Sequence, residues 1–269
     1  LRIPGSRSSL EKERAKYANV RVAYSPLDAL VLARANPHKK IVFLAVGFET
    51  TAPTIALTVL AAKKENLKNL SFLCSLKLIP PAMRYLLLDK RLKLDGFLCP
   101  GHVSAIIGTK DYAFIPKKYR IACCIAGFEP LDILEGILMI LEQIVESKAY
   151  VANQYRRVVP ERGNLLARKI IARVFSVSGA NWRGFGIIPR SGLKLRDGFK
   201  RFDSERVFSV KPVSKIKFLK GCRCADVLKG LILPRNCPLF GRACQPDNPS
   251  GPCMVSSEGA CNAHYRFRR

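Results

Sequence analysis

Residues 41–54 read IVFLAVGFETTAPT, and eighty residues later 121–134 read IACCIAGFEPLDIL. Each opens on an unbroken apolar run with no polar alternation, the pattern of a strand covered on both faces in a parallel sheet. Each then reaches Gly-Phe-Glu and a proline-bearing stretch that starts a helix. A strand that ends in a glycine turn and hands over to a helix is the opening half of a βαβ unit. Ligands gather in the loops at the carboxyl ends of such strands. Glu49 and Glu129 therefore stand where chemistry is placed, and also where the helix dipole favours a carboxylate. Two copies point to two similar parallel-sheet α/β lobes facing each other across a cleft. The plainer reading, two helix-start glutamates and nothing more, stays open.

Working outward, residues 20–24, 70–76 and 97–98 read as further strands. Helices are expected from Ser25-Pro26-Leu27-Asp28 to the residue before Pro37, over 53–65, from Pro80-Pro81 to Leu88, over 104–108, over 129–146 and over 164–175. The stretch NQYRRVVPERGN (153–164) reads as a connector. After Trp182 the text is rich in Gly and Pro and shows no sustained period. Three units follow: 1–92 as a first lobe, 93–180 as a second lobe with its connector, and 181–269 as a small loop-rich Cys-rich domain.

The chain of 269 residues is 48% hydrophobic, enough for real cores. It carries 46 Lys and Arg against 20 Asp and Glu, a net charge of +26. Residues 181–269 hold 18 basic and 6 acidic side chains, +12, which leaves +14 for the first 180. So dispersed an excess reads as a solvated surface, because nucleic-acid binding wants a basic stripe with interleaved aromatics. No apolar run is long enough to span a membrane. The chain opens at Leu1 rather than Met and reads as N-terminally incomplete.

Six of the ten cysteines fall near the end, at 222, 224, 237, 244, 253 and 261. Cys74, Cys123 and Cys124 lie in expected strands, where a thiol is a small apolar filler; Cys99 precedes the loop Pro100-Gly101-His102. Disulfides, zinc and an iron–sulfur cluster are all open for the six. Paired C-x2-C knuckles are absent, which disfavours zinc. A cluster needs four thiolates that need not be paired, and the neighbouring Lys and Arg would favour thiolates.

The strings YSPLDAL, GFETTAPT, LIPPAM, PGHVSAIIGT, AGFEPLDIL, WRGFG, IPRSGLKLR, CPLFGRAC and CMVSSEGAC occur in that order over nearly the whole chain. In them the chain closely resembles the HypD family of hydrogenase maturation factors. The family's cluster motif is C-x14-C-x6-C-x16-C, and Cys222, Cys237, Cys244 and Cys261 match it. The resemblance implies a [4Fe-4S] cluster on these four, with Cys224 and Cys253 as extra thiols. It implies two α/β lobes plus a small C-terminal iron–sulfur domain. It implies a cytoplasmic scaffold, not a conventional turnover enzyme, on which an iron gains two CN⁻ and one CO for [NiFe]-hydrogenase. A HypC-type chaperone and a HypE-type cyanide donor would be its partners, with this chain a monomer in the complex. Glu49, Thr50, Thr51, His102 and Ser104, from GFETT and PGHVS, are the cleft residues so implied.

Departures from the family pattern are Leu76 where His is expected, Arg162 where Glu is usual and Ala225 where Gly is usual. The family's CGTH and CPVC motifs fall before Leu1. Two other readings stay open: an inactive remnant that only binds partners, and a basic nucleic-acid-binding iron–sulfur protein.

Overall fold

The computed structural model describes residues 5, 8–92, 94–209 and 221–267. The opening residue, Leu1, lies outside them. A short helix α1 (Leu10–Ala15) is capped by the Ser9 hydroxyl, which accepts from the Lys12 amide at 3.2 Å. Helix α2 (Leu27–Ala35) begins at Ser25-Pro26 as expected. The Asp28 carboxylate reaches back to the amides of Tyr24 and Ser25 at 2.9 and 3.0 Å, satisfying donors that helix geometry leaves over. Asn36 ends it, one residue before Pro37.

The first βαβ unit follows: β1 (Ile41–Gly47), α3 (Ala52–Lys64) and β2 (Leu70–Lys77). β1 and β2 are parallel, Ile41 opposite Leu70 through Gly47 opposite Leu76. Helix α4 (Ile79–Leu86) carries its two prolines in the first turn, where a missing amide costs nothing. The second unit runs β3 (Gly96–Pro100), α5 (Gly101–Ile107), β4 (Ala122–Ala126), α6 (Pro130–Val145) and β5 (Val151–Asn153). Its sheet has the order β3-β4-β5 and is parallel throughout.

The expectation of two similar parallel sheets is corrected here. Helix α7 (Leu165–Val174), capped by Asn164, leads into β6 (Phe175–Trp182) and β7 (Gly186–Leu195). These two form an antiparallel pair that returns to the first sheet, with Leu76 opposite Leu193. That sheet is therefore mixed, in the order β1-β2-β7-β6. The segment 175–195 straddles the expected boundary at 180 and packs with the first lobe. Residues 20–24 form no strand and are mostly exposed. The β1 run is also not covered on both faces: Val42, Leu44 and Val46 are exposed while Ala45 is buried.

The first core joins Ile55 and Val59 of α3, Phe72 and Leu76 of β2, Phe175 of β6 and Phe202. Burying a side chain such as Phe72 contributes roughly 2–3 kcal/mol. Leu76, the departure from the family pattern, is an apolar residue in an apolar core and fits there. The second core is built on Tyr112, Ile115, Cys123 and Ile125. Cys99 and Cys123 touch there, sulfur to sulfur, at 3.2 Å, and burial pushes the half-buried Cys74 thiol up to about 12. All three behave as packing residues. Among the described residues that remain are the short helices α8 (Ser204–Val207), α9 (Cys224–Leu228), α10 (Pro252–Val255) and α11 (Ala260–Phe267). Cys224, Cys244, Cys253, Cys261 and Met254 form the third core.

Candidate functional site

The two Gly-Phe-Glu turns share a sequence and a place at a strand's end, and differ in the spacing to the following helix. Gly47 adopts φ 152°, and any β-carbon there would collide with Thr51. α3 starts at Ala52 and is capped by Thr51, so Glu49 lies two residues before the cap. α6 starts at Pro130, which makes Glu129 itself the cap residue. That offset turns Glu49 inward and leaves Glu129 in solvent. Glu49 is 3% exposed; Glu129 is exposed. In the second lobe a different residue takes the buried acidic place. Asp132 receives both Nη atoms of Arg157, at 2.8 and 2.5 Å, and the Gln154 amide at 2.7 Å. The Arg157 guanidinium beside it holds its carboxyl well below the usual carboxylate range.

Glu49 ties the ends of two strands together. Its Oε1 accepts from the Ile79 amide at 2.8 Å, where α4 begins. Its Oε2 is buried and, among the described residues, has no hydrogen-bond partner. Burial raises this carboxyl to about 7, against the pull of the backbone amides that bond it. It lines a cleft of about 630 Å³ between the lobes. Arg84, Lys110, Arg168, Arg190 and Arg196 make that cleft cationic, with Asp111 paired to Arg168 at 3.7 Å and Lys110 to Glu161 at 3.1 Å. Arg84 stacks on Phe114 at 3.7 Å, and Arg196 is fixed by the carbonyls of Ala172 and Phe175.

The other four expected residues do not line this cleft. Thr50 is half-buried. Thr51 donates its hydroxyl to the Phe48 carbonyl at 3.1 Å, closing its own turn. His102 is exposed in the first turn of α5 and stacks on Phe128 of the second Gly-Phe-Glu, ring centres 4.2 Å apart. Ser104 is fully buried: its hydroxyl donates to the Pro100 carbonyl at 2.8 Å, and the Tyr112 hydroxyl lies 3.2 Å away. The five arginine and lysine side chains of the cleft were not foreseen from sequence. They come from four separate segments and follow no local pattern.

The six late cysteines do converge. With Phe240, Gly251 and Met254 they line one enclosure of about 10 Å³. Gly251 packs closely there: a β-carbon would lie 3.0 Å from Cys222 Sγ and 3.1 Å from Cys224 Cβ. Cys224 Sγ lies 2.7 Å from Cys253 Sγ, which is 3.2 Å from Cys261 Sγ. The Ser250 amide donates to Cys244 Sγ at 3.3 Å. Burial raises the Cys222 thiol above its ordinary value. Among the described residues no group of three or more His, Cys, Asp or Glu stands in metal-binding geometry. The donor set nonetheless fits an iron–sulfur cluster in kind: soft thiols from separate loops in an apolar shell. Its walls are turns and one-turn helices, and they must part to admit one.

A family model described as "HypD: Hydrogenase formation hypA family" matches residues 1–268. The chain is 46% identical to the hydrogenase maturation factor HypD of Escherichia coli over 270 residues, covering 100% of this chain and 72% of that protein. It is 47% identical over 276 residues to the hydrogenase expression/formation protein HupD of Azotobacter chroococcum, covering 100% and 73%. It is 40% identical over 277 residues to HypD of Cupriavidus necator, again covering 100% and 73%. The chain belongs to the HypD family of hydrogenase maturation factors.

Proposed function

We propose that this chain is a cytoplasmic scaffold for building the Fe(CN)2CO moiety of [NiFe]-hydrogenase, working with HypC-type and HypE-type partners. The observation that carries this reading is the convergence of six cysteines from distant loops on one apolar enclosure. Cys222, Cys237, Cys244 and Cys261 would hold a [4Fe-4S] cluster. When bound, the cluster would supply single electrons. Cys224 and Cys253, in sulfur contact beside that set, form a dithiol that can close to a disulfide by releasing two electrons and two protons.

In the cleft, the iron with its cyanide and carbonyl ligands is the cargo. Glu49 is the residue there that can hold or release a proton at neutral pH, through the buried Oε2. The surrounding guanidinium groups favour ligands of negative charge and can donate to cyanide nitrogens. His102, stacked on Phe128, stands outside the lining of this cleft and offers an exposed imidazole donor. Thr51 and Ser104 hold the two turns in shape.

The test is anaerobic reconstitution with iron and sulfide, read as iron content, visible absorption and EPR after reduction. Loss of iron on changing Cys222, Cys237, Cys244 or Cys261 to Ala, with retention in Cys224→Ala and Cys253→Ala, is expected. Zinc in place of iron, or iron retained by all four variants, would end this reading.

A further inference from the structure

Helix α6 has one face locked onto the second sheet and one face left open. On the inner side Asp132 is clamped by Arg157 and Gln154. Gly136 lets the helix approach Leu98 and Ala126. Gln143 donates to the Cys123 carbonyl at 3.3 Å and accepts from the Tyr150 amide at 3.0 Å. With three polar or close-packed anchors, the helix cannot roll to hide its other side. That side carries Leu131, Leu134, Leu138, Leu141 and Val145, which are 65, 64, 55, 51 and 84% exposed. The spacing is 3, 4, 3, 4, the a/d seam of a heptad rather than the scatter of single surface leucines. Ile137 and Ile144 widen the stripe, and both are exposed. Glu135 and Glu142 border it on the other flank, seven residues apart.

The charge around this stripe opposes that of the rest of the molecule. From 121 to 147 there are five acidic residues and not one Lys or Arg, in a chain of net charge +26. Glu129, Asp132, Glu135, Glu142 and Glu146 are those acids. Asp132 is committed to Arg157 on the inner face, Glu146 pairs with Lys148, and Glu135 accepts from the Gln154 amide at 2.9 Å, a neutral donor that leaves its charge in place. The two acids on the seam's rim repel nucleic acid and anionic lipid. They also disfavour a second copy of this chain: antiparallel pairing would set Glu135 against the partner copy's Glu142, and the two molecules repel as wholes.

We propose that the outer face of α6 is a docking seam for a basic amphipathic helix of a different protein. Leucines of that helix would interleave with Leu134, Leu138 and Leu141, and its Lys or Arg would face Glu135 and Glu142. The seam lies on the helix surface turned away from the sheet, so docking there leaves the inner anchors untouched.

The test uses two labelled peptides about three heptads long, with Leu at a and d. One carries Lys at e and g, its twin Glu, and each is titrated with the full chain by fluorescence anisotropy. Bulk charge favours the Glu peptide, so a preference for the Lys peptide isolates this one acidic surface. The Lys peptide is expected to bind about tenfold more tightly, with the margin shrinking at high salt. The double change Glu135→Lys with Glu142→Lys should invert the preference. Leu138→Asp with Leu141→Asp should abolish binding while leaving the circular dichroism spectrum unchanged, because both side chains are exposed. Equal or tighter binding of the Glu peptide, binding of neither, or binding retained by the Leu138/Leu141 variant overturns the proposal. So does a chain that sediments as a dimer and becomes monomeric in that variant, since the occupant would then be a second copy.

Discussion

Replacing Glu49 by Gln tests the most consequential buried group in the cleft. The folded protein raises this carboxyl from 4.5 to about 7 because it is buried. The folded state therefore keeps a proton that the unfolded chain gives up. The contribution is fully present below about pH 4.5 and is lost as pH rises through 7. At about 1.4 kcal/mol for each pH unit, the gap corresponds to about 3 kcal/mol. Gln keeps the oxygen that accepts from the Ile79 amide and cannot ionise. The variant should match the parent near pH 4.5 and exceed it by about 3 kcal/mol above pH 8. For a domain of this size that is roughly 6–10 °C in Tm. Thermal unfolding of both proteins across pH 4.5–8.5 reads the difference directly, with other titrating groups cancelling. A difference that stays flat across that range would falsify the reasoning, and with it Glu49 as a group that exchanges protons near neutrality.

Ser104→Ala should cost about 1–2 kcal/mol of stability by leaving Tyr112 without its neighbour; maturation activity should survive in proportion to folded protein, since the hydroxyl faces inward. Mild oxidation should link Cys224 to Cys253, whose sulfurs lie 2.7 Å apart, and peptide mapping should recover that pair ahead of Cys253–Cys261 at 3.2 Å; recovery of the second pair instead would count against it. Asp132→Asn should weaken the protein at neutral pH and flatten its acid sensitivity. The parent's stabilising carboxylate is present above the ordinary Asp range and is lost as pH falls towards 2; a variant with the parent's acid profile would count against the Arg157 clamp.

Much of the first 150 residues was legible because local signals agreed with one another. Prolines in first helical turns, apolar runs of strand length and glycine exits located β1, α3, β2, α4, β3, β4 and α6 within a few residues. β7 was not legible. Its residues Gly186–Leu195 hold two glycines, a proline and two basic side chains; it pairs along most of its length with β6, and its place in the first sheet depends on β2 more than a hundred residues earlier. Residues 20–24 failed in the opposite sense: their strand-like composition stays exposed and unpaired although β1 stands at the sheet edge. The same division runs through the site. The buried Glu49 sat in a recognisable turn, but its difference from Glu129 depended on where each helix cap fell. The cationic cleft lining came from side chains far apart in sequence, whose meaning exists only after the lobes meet.

The return of β7 to β2 has a consequence for how the chain is made. Leu76 waits for Leu193, 117 residues later, and at typical synthesis rates that wait is roughly 6–23 s. For that interval β2, whose Leu70, Phe72 and Leu76 end fully buried, has an unpaired side facing the translation machinery and its chaperones. The intervening parallel sheet can fold meanwhile from shorter-range contacts, and by doing so it brings the two distant strands within reach. Closing so long a loop unaided would cost about 4 kcal/mol in chain entropy. The second lobe thus acts as a folding jig for the first, and a mutation that slows it should appear as misassembly of a sheet it does not belong to.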